Sequence, residues 1–394
     1  MSTGAGLFAV FARRGVFDPV TARRYTSIAR PKVTDPTGPH LVESMHDLET
    51  LSLVFHRFAE LECPGMSALY ESLCHGIAED SDVLAIAANA RPGQPVPNLF
   101  MAAVHWLLMR GGEHPVSAYY PDLTPGPVEP GDPYPSFRSF CLDQREEITA
   151  LISVRLVQTN VVRRCAVLLP AFAEAIGEAR ERPLSLVAIG ASAGLNLFWD
   201  RYAYSYSDGR RWGDGGSSVQ LSSVVRGEGR PPLPTSIPDV GFRLGLDLNP
   251  VDIRDPDAVA WLKALVWPER REEALILDNA IELAQDNPPH LLTGDALELL
   301  SEVLRGIPPD STLCLYHSHM LNQLSPQARG RFEEIIDQHG AVRDLNLISL
   351  EGRAGGHHSA IELTQYQSGS KTTRHLADCD SHGNWIQWLE SGSL

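Results

Sequence analysis

One stretch constrains the fold more than any other, the segment PLSLVAIGASAGLNLF at residues 183–198. Its first part, Leu184–Ile189, is a short aliphatic run of the length typical of a buried strand. A turn of small residues follows, and then a segment, Leu195–Tyr202, that is compatible with a helix. The pattern predicts a strand, a tight turn and a helix. A ligand can approach the turn backbone because no large side chain covers it.

Two kinds of site share this pattern. A small-residue turn between a strand and a helix is typical of nucleotide-binding loops, including those that bind S-adenosylmethionine (SAM). The same residues contain Gly190-x-Ser192-x-Gly194, the motif of a nucleophile elbow, in which Ser192 is the nucleophile of a hydrolase. The flanking chain has to distinguish between these interpretations.

The chain of 394 residues changes character near its middle. Residues 1–40 are Arg-, Thr- and Pro-rich and predict a weakly ordered extension. Residues 41–183 show helical periodicity and predict a helical cap domain. Residues 184–394 alternate strand-like and helical segments, which predicts a doubly wound, mostly parallel α/β sheet. A polar insertion at about 205–239 has the length of a lid or binding loop.

The elements of the second half can be assigned individually. Buried strands are predicted at Leu184–Gly190, Gly241–Leu248, His290–Thr293, Thr312–His317 and Leu345–Leu350. Helices are predicted at Ala258–Leu265, Arg270–Gln285, Ala296–Arg305 and Pro326–His339. An antiparallel hairpin of Ile361–Gln367 and Thr372–Ala377 is predicted to end the sheet.

Composition disfavours several kinds of partner. A formal net charge of −16 argues against nucleic acid, because phosphate contacts need a basic surface. The longest apolar run, Leu99–Met109, is far shorter than the ~20 residues of a membrane span. Six cysteines without a C-x-x-C pair, and no signal-peptide pattern, favour a reduced cytoplasmic protein. We expect a small-molecule substrate; the sequence leaves a homodimer or heterodimer open.

The nucleotide-loop interpretation requires polar residues at later strand ends. Asp247 ends the second strand, where an acid suits ribose hydroxyls, although it also suits a local cap. Asp295 follows the third strand and can accept from an adenine amino group while the Ala296 N–H faces the ring; Asp295 equally suits a helix N-cap. His317 and His319 end the fourth strand, where a histidine suits a general base.

A nucleophile elbow instead requires a sheet upstream of the nucleophile and an oxyanion-hole loop from an earlier strand. The preceding chain looks helical. A triad can be assembled from Ser192, an acid such as Asp295 or Asp344, and a histidine such as His358 or His382, but no spacing selects these residues. The hydrolase remains an alternative.

Longer motifs carry a family resemblance. They are Arg91–Leu99 (RPGQPVPNL), His114-Pro115 with Tyr119–Pro121, Asp132–Phe137 (DPYPSF), Gln158–Asn160, Gly190–Leu197, Trp261–Glu269 (WLKALVWPE) and His382–Leu389 (HGNWIQWL). On these motifs the chain from about residue 46 onward resembles the bacterial DUF2332 family. Residues 184–377 resemble the class I SAM-dependent methyltransferase fold.

The second resemblance implies O- or N-methylation of a small molecule with SAM as cofactor. It implies SAM contacts from Gly190, Ala191, Ser192, Gly194, Asn196, Asp247, Asp295 and Ala296. These methyltransferases usually place an acid two residues before the first glycine of the turn, where this chain has Ala188, and a glycine at the position of Ser192. A SAM-independent enzyme that closes a ring by expelling an anion is therefore an alternative, as is a non-catalytic binding or scaffold protein.

Two further candidates precede the sheet region. Arg155 and Asn160 can line a substrate pocket if the last cap helices cover the sheet, where an arginine suits a carboxylate or phosphate. A polar network between helices explains them equally well. His317 and His319 with His357-His358 lack E-x-x-H or C-x-x-C spacing, so no metal site is predicted.

Overall fold

The computed structural model describes residues 47–111, 114–177, 182–353 and 358–389. These residues form two compact units. The helical unit comprises Val251–Gln285 and the described part of Leu41–Val161. The sheet unit comprises Val162–Pro250 and the described part of Asp286–Leu394. The predicted extension, residues 1–40, lies outside the described residues.

The helical unit is built from amphipathic helices, most of which contribute apolar side chains to one core. They are α1 (Leu48–Leu61), α2 (Ala68–Ala78), α3 (Ser81–Ala87), α4 (Val96–Met109), α5 (Tyr134–Asp143), α6 (Arg145–Val154), α8 (Pro256–Ala264) and α9 (Arg271–Gln285). Asp47, Ser67 and Asp80 cap the first three through side-chain oxygens, as expected for these residue types. Helix α4 is almost entirely buried and forms the centre of the unit.

Helices α8 and α9 follow the sheet's β5 in sequence yet belong to the helical unit. Trp261 and Ala264 of α8 are part of its apolar core. The Trp261 indole donates to the carbonyl of Leu156 at 2.8 Å, and His105 Nδ1 lies 3.0 Å from the Ala264 carbonyl. These long-range contacts, rather than local propensity, decide which unit α8 joins.

The sheet unit holds an 11-stranded sheet. Its strands are β1 (Leu184–Ile189), β2 (Ala203–Tyr206), β3 (Arg211–Trp212), β4 (Gln220–Val225), β5 (Val240–Asp247), β6 (Leu291–Thr293), β7 (Thr312–Ser318), β8 (Leu345–Gly352), β9 (Ser359–Gln367), β10 (Ser370–Cys379) and β11 (Trp385–Trp388). The spatial order is β3-β2-β4-β11-β10-β9-β8-β7-β1-β5-β6. Helices α7 (Cys165–Ile176), α10 (Ala296–Gly306) and α11 (Pro326–Gly340) belong to this unit.

The predicted doubly wound sheet is confirmed. Strands β6, β5, β1, β7 and β8 are parallel neighbours, and β9 and β10 follow as the predicted antiparallel hairpin. In chain order the parallel strands are β1, β5, β6, β7 and β8. Each segment that connects one of them to the next contains a helix or a 3₁₀ helix, because parallel strands need a crossover connection. Strand β1 is buried along its whole length, which explains why it is aliphatic except at Ser185, whose hydroxyl donates to Ser311 Oγ at 2.8 Å.

Both sheet faces are covered by apolar side chains. On one face, Ile189 and Leu246 pack with Phe332 of α11 in a core that α10 also joins. On the other face, Phe172 of α7 stacks on Trp199 with ring centroids 4.5 Å apart. Burial of both faces fixes the register of the parallel strands, because a slip of one residue would exchange the faces.

Two local predictions differ from the structure. The segment at 205–239, predicted as a lid, contributes to β2 and contains β3 and β4, and β4 pairs with β11 and so extends the sheet. The residues after the turn form a short 3₁₀ helix, Leu195–Arg201, instead of a regular helix. The sequence of β4 (QLSSVV) does not alternate apolar and polar residues, and β3 has only two residues, so local sequence does not reveal them. In the described part of the chain, no helix is both long and apolar enough to cross a bilayer.

Candidate functional site

Most of the predicted site residues meet where the parallel strands end, here called the carboxyl edge. It holds the turn at 190–194 after β1, Asp247 at the end of β5, and residues 317–321 at the end of β7. The chain runs from β1 outward to β6 and then returns to β7 on the other side of β1. Such a reversal is the topological switch point at which open α/β sheets bind ligands.

The turn after β1 is tight because three of its residues have left-handed backbones. The angle φ is +73° at Gly190, +52° at Ser192 and +70° at Gly194. Glycine adopts this conformation readily, whereas a serine there is strained and must be held by its surroundings. A Cβ atom at Gly190 would lie 3.2 Å from Met320 Cγ, so the turn packs closely against the segment after β7.

Hydrogen bonds anchor the turn to β5. The N–H groups of Gly190 and Ala191 donate to the Leu246 carbonyl at 2.9 and 3.1 Å. The N–H of Ser192 donates to Asp247 Oδ2 at 2.7 Å. The turn backbone is therefore rigid, which pre-organises it for a ligand but also uses three of its donors.

Asp247 is a buried carboxylate that organises the edge around it. Its Oδ1 accepts from the Asn249 N–H at 2.8 Å, and its own carbonyl accepts from the Gly294 N–H at 2.9 Å. Ala188, at the position where the resemblance implies an acid, is 3% exposed and offers no side-chain acceptor. Support of the turn therefore comes from the neighbouring strand.

The Ser192 hydroxyl is the unexplained polar group of the turn. The residue is 5% exposed, and its buried Oγ has no hydrogen-bond partner among the described residues. A buried hydroxyl without a partner is costly, so we expect a ligand atom or a water to complete it. Its left-handed backbone in a Gly-x-Ser-x-Gly turn is also the geometry of a nucleophile elbow.

A histidine–carboxylate pair lies beside the turn. His317 is 1% exposed, and its Nδ1 is 2.8 Å from Oε1 of Glu351 on β8. The same oxygen accepts from the backbone N–H groups of Met320 and Leu321 at 2.9 and 3.1 Å. Burial raises the pKa of Glu351, but the bonds and charge from His317 and the two N–H groups outweigh it, so the pKa lies below its ordinary value.

This pairing fixes the orientation of the imidazole. A carboxylate on Nδ1 holds the proton there and leaves Nε2 as the basic nitrogen, as in hydrolase triads and other acid–base sites. The second Glu351 oxygen, Oε2, is buried without a hydrogen-bond partner in the described part of the chain. His317 can therefore accept a proton while Glu351 stabilises the resulting charge.

His319 lies on the other side of the same segment, with a left-handed φ of +54°. Its Nε2 is 3.4 Å from Ser359 Oγ. Burial and the positive charge of Arg164 lower the pKa of His319 to about 4. The ring is therefore neutral at physiological pH and is a weaker base than an unperturbed histidine.

Arg164, just before α7, brings a cation to this edge. Its Nε donates to the Ser381 carbonyl at 2.8 Å, and its Nη1 lies 3.5 Å from Ser318 Oγ. Burial lowers its pKa to about 10, so it stays charged at neutral pH. A fixed guanidinium suits a carboxylate or phosphate, because its N–H groups form a planar fork.

The third predicted ligand contact is an exposed helix cap. Asp295 is the N-cap of α10 and accepts from the Leu297 N–H at 2.8 Å, while Ala296 begins the helix. Asn196, in the 3₁₀ helix after the turn, accepts at its carbonyl from Cys165 Sγ at 3.9 Å. The alternative capping role of Asp295 is therefore present, and ligand contact by these residues stays a prediction.

Arg155 and Asn160 belong to the helical unit. Arg155 forms an ion pair with Asp257, and its guanidinium carbon lies 5.4 Å from the ring centre of Trp261. Asn160 is buried. The polar network considered for Arg155 is present within the unit; a role of either residue toward a substrate stays a prediction.

The triad that includes Asp344 does not assemble. Asp344 precedes β8 and accepts from the Ser368 N–H at 2.7 Å, at the opposite edge of the sheet from Ser192. A strand of eight residues spans about 25 Å. His358 and His382, in contrast, flank the paired residues Ser359 and Cys379 and so lie at the carboxyl edge.

No group of three or more potential metal ligands occurs among the described residues. His357 lies outside them. His358 is 3.8 Å from Asp378 Oδ2, and His375 is 3.0 Å from Oδ1 of the same carboxylate. Both histidines thus contact one carboxylate of the hairpin.

Sequence reasoning missed Glu351 and Arg164. Glu351 lies near the end of β8, one residue beyond the strand predicted at Leu345–Leu350. Asp247 is selected because it is a polar residue at a strand end, and the same criterion selects Glu351 once the predicted strand is one residue longer. Arg164 had no such signal, because it precedes a helix and reaches the edge only through tertiary packing.

The bonds to Glu351 predict a measurable loss on truncation. Glu351→Ala leaves two partly buried N–H groups and His317 Nδ1 without their acceptor, so we expect about 2 kcal/mol lower unfolding free energy in urea denaturation. Glu351→Gln keeps an acceptor oxygen and should lose less. Glu362→Ala, at an exposed position of β9, is the control; an equal loss there would contradict this assignment.

The fold and the edge define a doubly wound α/β protein with a histidine–carboxylate site at its switch point. A family model described as "Uncharacterized protein conserved in bacteria (DUF2332)" matches residues 53–388. The chain therefore belongs to the DUF2332 family. No curated protein and no solved structure matches it.

Proposed function

We propose that this protein is an enzyme that transforms a small molecule at the carboxyl edge, by SAM-dependent methyl transfer to oxygen or nitrogen. One observation carries the proposal: a small-residue turn follows β1 at the switch point, and a buried carboxylate, Asp247, ends the neighbouring strand. This combination suits an adenosyl group, because its ribose needs an acceptor and its other polar atoms need a close backbone.

The residues at the edge fit such a cofactor in part. Asp247 would accept from the ribose hydroxyls, since a carboxylate accepts several hydrogen bonds at once. The unpartnered Ser192 hydroxyl would bond a polar atom of the same ligand. Asp295 and Ala296 would face the adenine. Bound SAM supplies an electrophilic methyl group.

The remaining residues would act on the substrate. His317, oriented by Glu351, would take the proton from the substrate hydroxyl or amine through Nε2. Arg164 would hold an anionic group of the substrate. Rate acceleration would come mainly from positioning two reactants for in-line displacement.

Ala188 favours a second candidate. It leaves the turn without the acid that the resemblance implies beside a cationic ligand, and strand β1 places it between Gly245 and Tyr316. An enzyme that does not use SAM would need no such acid. It would use the same His317 for proton removal, and Arg164 would stabilise an anion expelled during ring closure.

Isothermal titration calorimetry with SAM and S-adenosylhomocysteine tests the first candidate. We expect saturable binding, about tenfold or more weaker in Asp247→Asn. Asp295→Ser keeps a good N-cap and should weaken binding without lowering the melting temperature. Asp252→Asn, an exposed position after β5, is the control.

The outcomes separate the candidates. No binding of either compound at millimolar concentration would rule out SAM use and leave the ring-closing candidate. Covalent labelling of Ser192 by a fluorophosphonate would instead identify a hydrolase, because only an activated serine reacts with such probes.

A further inference from the structure

The helical unit contains a second group of buried polar side chains, here called the tyrosine cluster. It consists of Tyr70, His105, Tyr120, Asp122 and Glu269. The hydroxyls of Tyr70 and Tyr120 are buried and have no hydrogen-bond partner among the described residues. Native interiors contain few such groups, and each calls for an explanation such as a bound molecule.

One carboxylate oxygen of Glu269 is also buried and lacks a hydrogen-bond partner among the described residues. Its Oε1 accepts from Ser67 Oγ at 2.8 Å and from the Leu69 N–H at 3.0 Å. Its Oε2 is buried and has no hydrogen-bond partner in the described part of the chain. One oxygen thus anchors the side chain at the start of α2, and the other is available for a donor.

Three aromatic rings pack together next to Glu269 in the chain or against its neighbours. The ring of Tyr70 lies 5.5 Å from that of Trp267, two residues before Glu269, and Phe58 lies 5.6 Å from the same indole. Aromatic faces attract cations through their negative π surface. Burial, followed by interactions with Tyr120, Asp122 and Glu269, raises the pKa of Tyr70 well above its ordinary value, so its hydroxyl stays neutral.

The other members of the tyrosine cluster are His105, Tyr120 and Asp122, and the ring nitrogens of His105 are already engaged. His105 is 1% exposed and has an acceptor on each ring nitrogen, the Ala264 carbonyl at 3.0 Å and Asp122 Oδ2 at 2.7 Å. Tyr120 lies 5.6 Å from His105, ring to ring. Both ring nitrogens of His105 therefore contact acceptors other than Glu269.

From this arrangement we infer that the tyrosine cluster binds a small organic ammonium ion. The ammonium would donate to Glu269 Oε2, its remaining N–H groups would bond the tyrosine oxygens, and its alkyl part would contact Trp267. An anion would face two carboxylates, and a neutral alcohol would leave the buried charge of Glu269 unbalanced. The inference concerns residues of the helical unit only and does not depend on the function proposed for the sheet unit.

Binding of n-propylamine, which is an ammonium ion at neutral pH, tests the inference. Calorimetry on the full chain should give saturable binding of n-propylammonium, with 1-propanol and propionate as neutral and anionic controls that do not bind. Glu269→Gln should weaken binding at least about tenfold, because it removes the charge but keeps an acceptor for Ser67 and Leu69. Glu60→Gln, exposed on α1, should leave the affinity unchanged.

Tyr70→Phe and Tyr120→Phe separate a ligand site from packing. Each should weaken n-propylammonium binding several-fold, while the melting temperature of the ligand-free protein stays equal or rises, because the lost hydroxyl has no partner. Absence of n-propylammonium binding at millimolar concentration would overturn the inference. Equal binding of 1-propanol, or wild-type affinity in Glu269→Gln, would do the same.

Discussion

Replacing Asp200 with alanine is expected to lower the unfolding free energy by about 3–5 kcal/mol, the cost of leaving a buried charge unpaired. Asp200 and Arg243 form a two-fold hydrogen-bonded ion pair, with both N–O distances 2.7 Å and side chains only 8% and 14% exposed. Arg243 also donates to the Leu197 carbonyl at 2.5 Å. The pair thereby fixes the segment after the site turn to β5.

The loss of unfolding free energy should depend on how exposed the ion pair is to solvent and not on its hydrogen-bond geometry. Asp252 and Arg254 form the same two-fold pair with both distances 2.9 Å, but their side chains are 51% and 66% exposed. Asp252→Ala should therefore cost at most about 1 kcal/mol. Urea denaturation measures both variants, and equal losses would contradict the account. The double variant Asp200→Leu with Arg243→Met should recover most of the loss, since no buried charge remains.

The second large effect concerns pH. The folded-state pKa of His319 is lowered from 6.5 to about 4, so its neutral form stabilises the fold. This contribution is fully present above pH 6.5 and is lost as the pH falls through 4, because the unfolded chain then binds the extra proton. The shift corresponds to about 3 kcal/mol at most. Arg164 and His382 add to the depression, whereas Glu351 and Asp380 oppose it.

His319→Asn isolates this contribution, because asparagine tolerates the left-handed backbone of residue 319. The variant should show a smaller loss of stability than the wild type between pH 6.5 and 4. Burial also lowers the pKa values of His290 and His339, so a residual slope is expected in both proteins. His56→Gln, in the helical unit, controls for loss of an imidazole. Identical slopes in wild type and His319→Asn would show that His319 titrates normally.

Local sequence predicts the parallel strands well because both of their faces are buried. The run at residues 184–189 is buried on both faces and is aliphatic except at Ser185, and such a run is typical of a central parallel strand. The hairpin of β9 and β10 is equally visible, since Ser368-Gly369 supplies the left-handed turn residues that connect the strands.

Long-range pairing is not visible in the same way. Strand β4 alternates exposed and buried residues and gains its place by pairing with β2 and β11. Helices α8 and α9 are recognisable as helices, but Trp261 alone does not reveal which core it will enter. The assignment of α8 depends on a contact between residues more than a hundred positions apart.

The residues of the candidate site also differ in whether local sequence predicts their position. Asp247 and His317 are predicted correctly at the carboxyl edge, because the end of a buried strand fixes where the next polar residue lies. Glu351 lies near the end of β8 and follows from the same rule, whereas Arg164 reaches the edge only through tertiary packing. The roles of all four toward a ligand remain proposals.

A crystal structure of the protein soaked with S-adenosylhomocysteine tests the central claim most directly. The account predicts density for the ribose at Asp247, with the rest of the ligand along the turn at 190–194 and a polar atom within hydrogen-bond distance of Ser192 Oγ. Density at another surface, or an unchanged carboxyl edge at saturating ligand, would contradict the proposal that this edge holds an adenosyl cofactor.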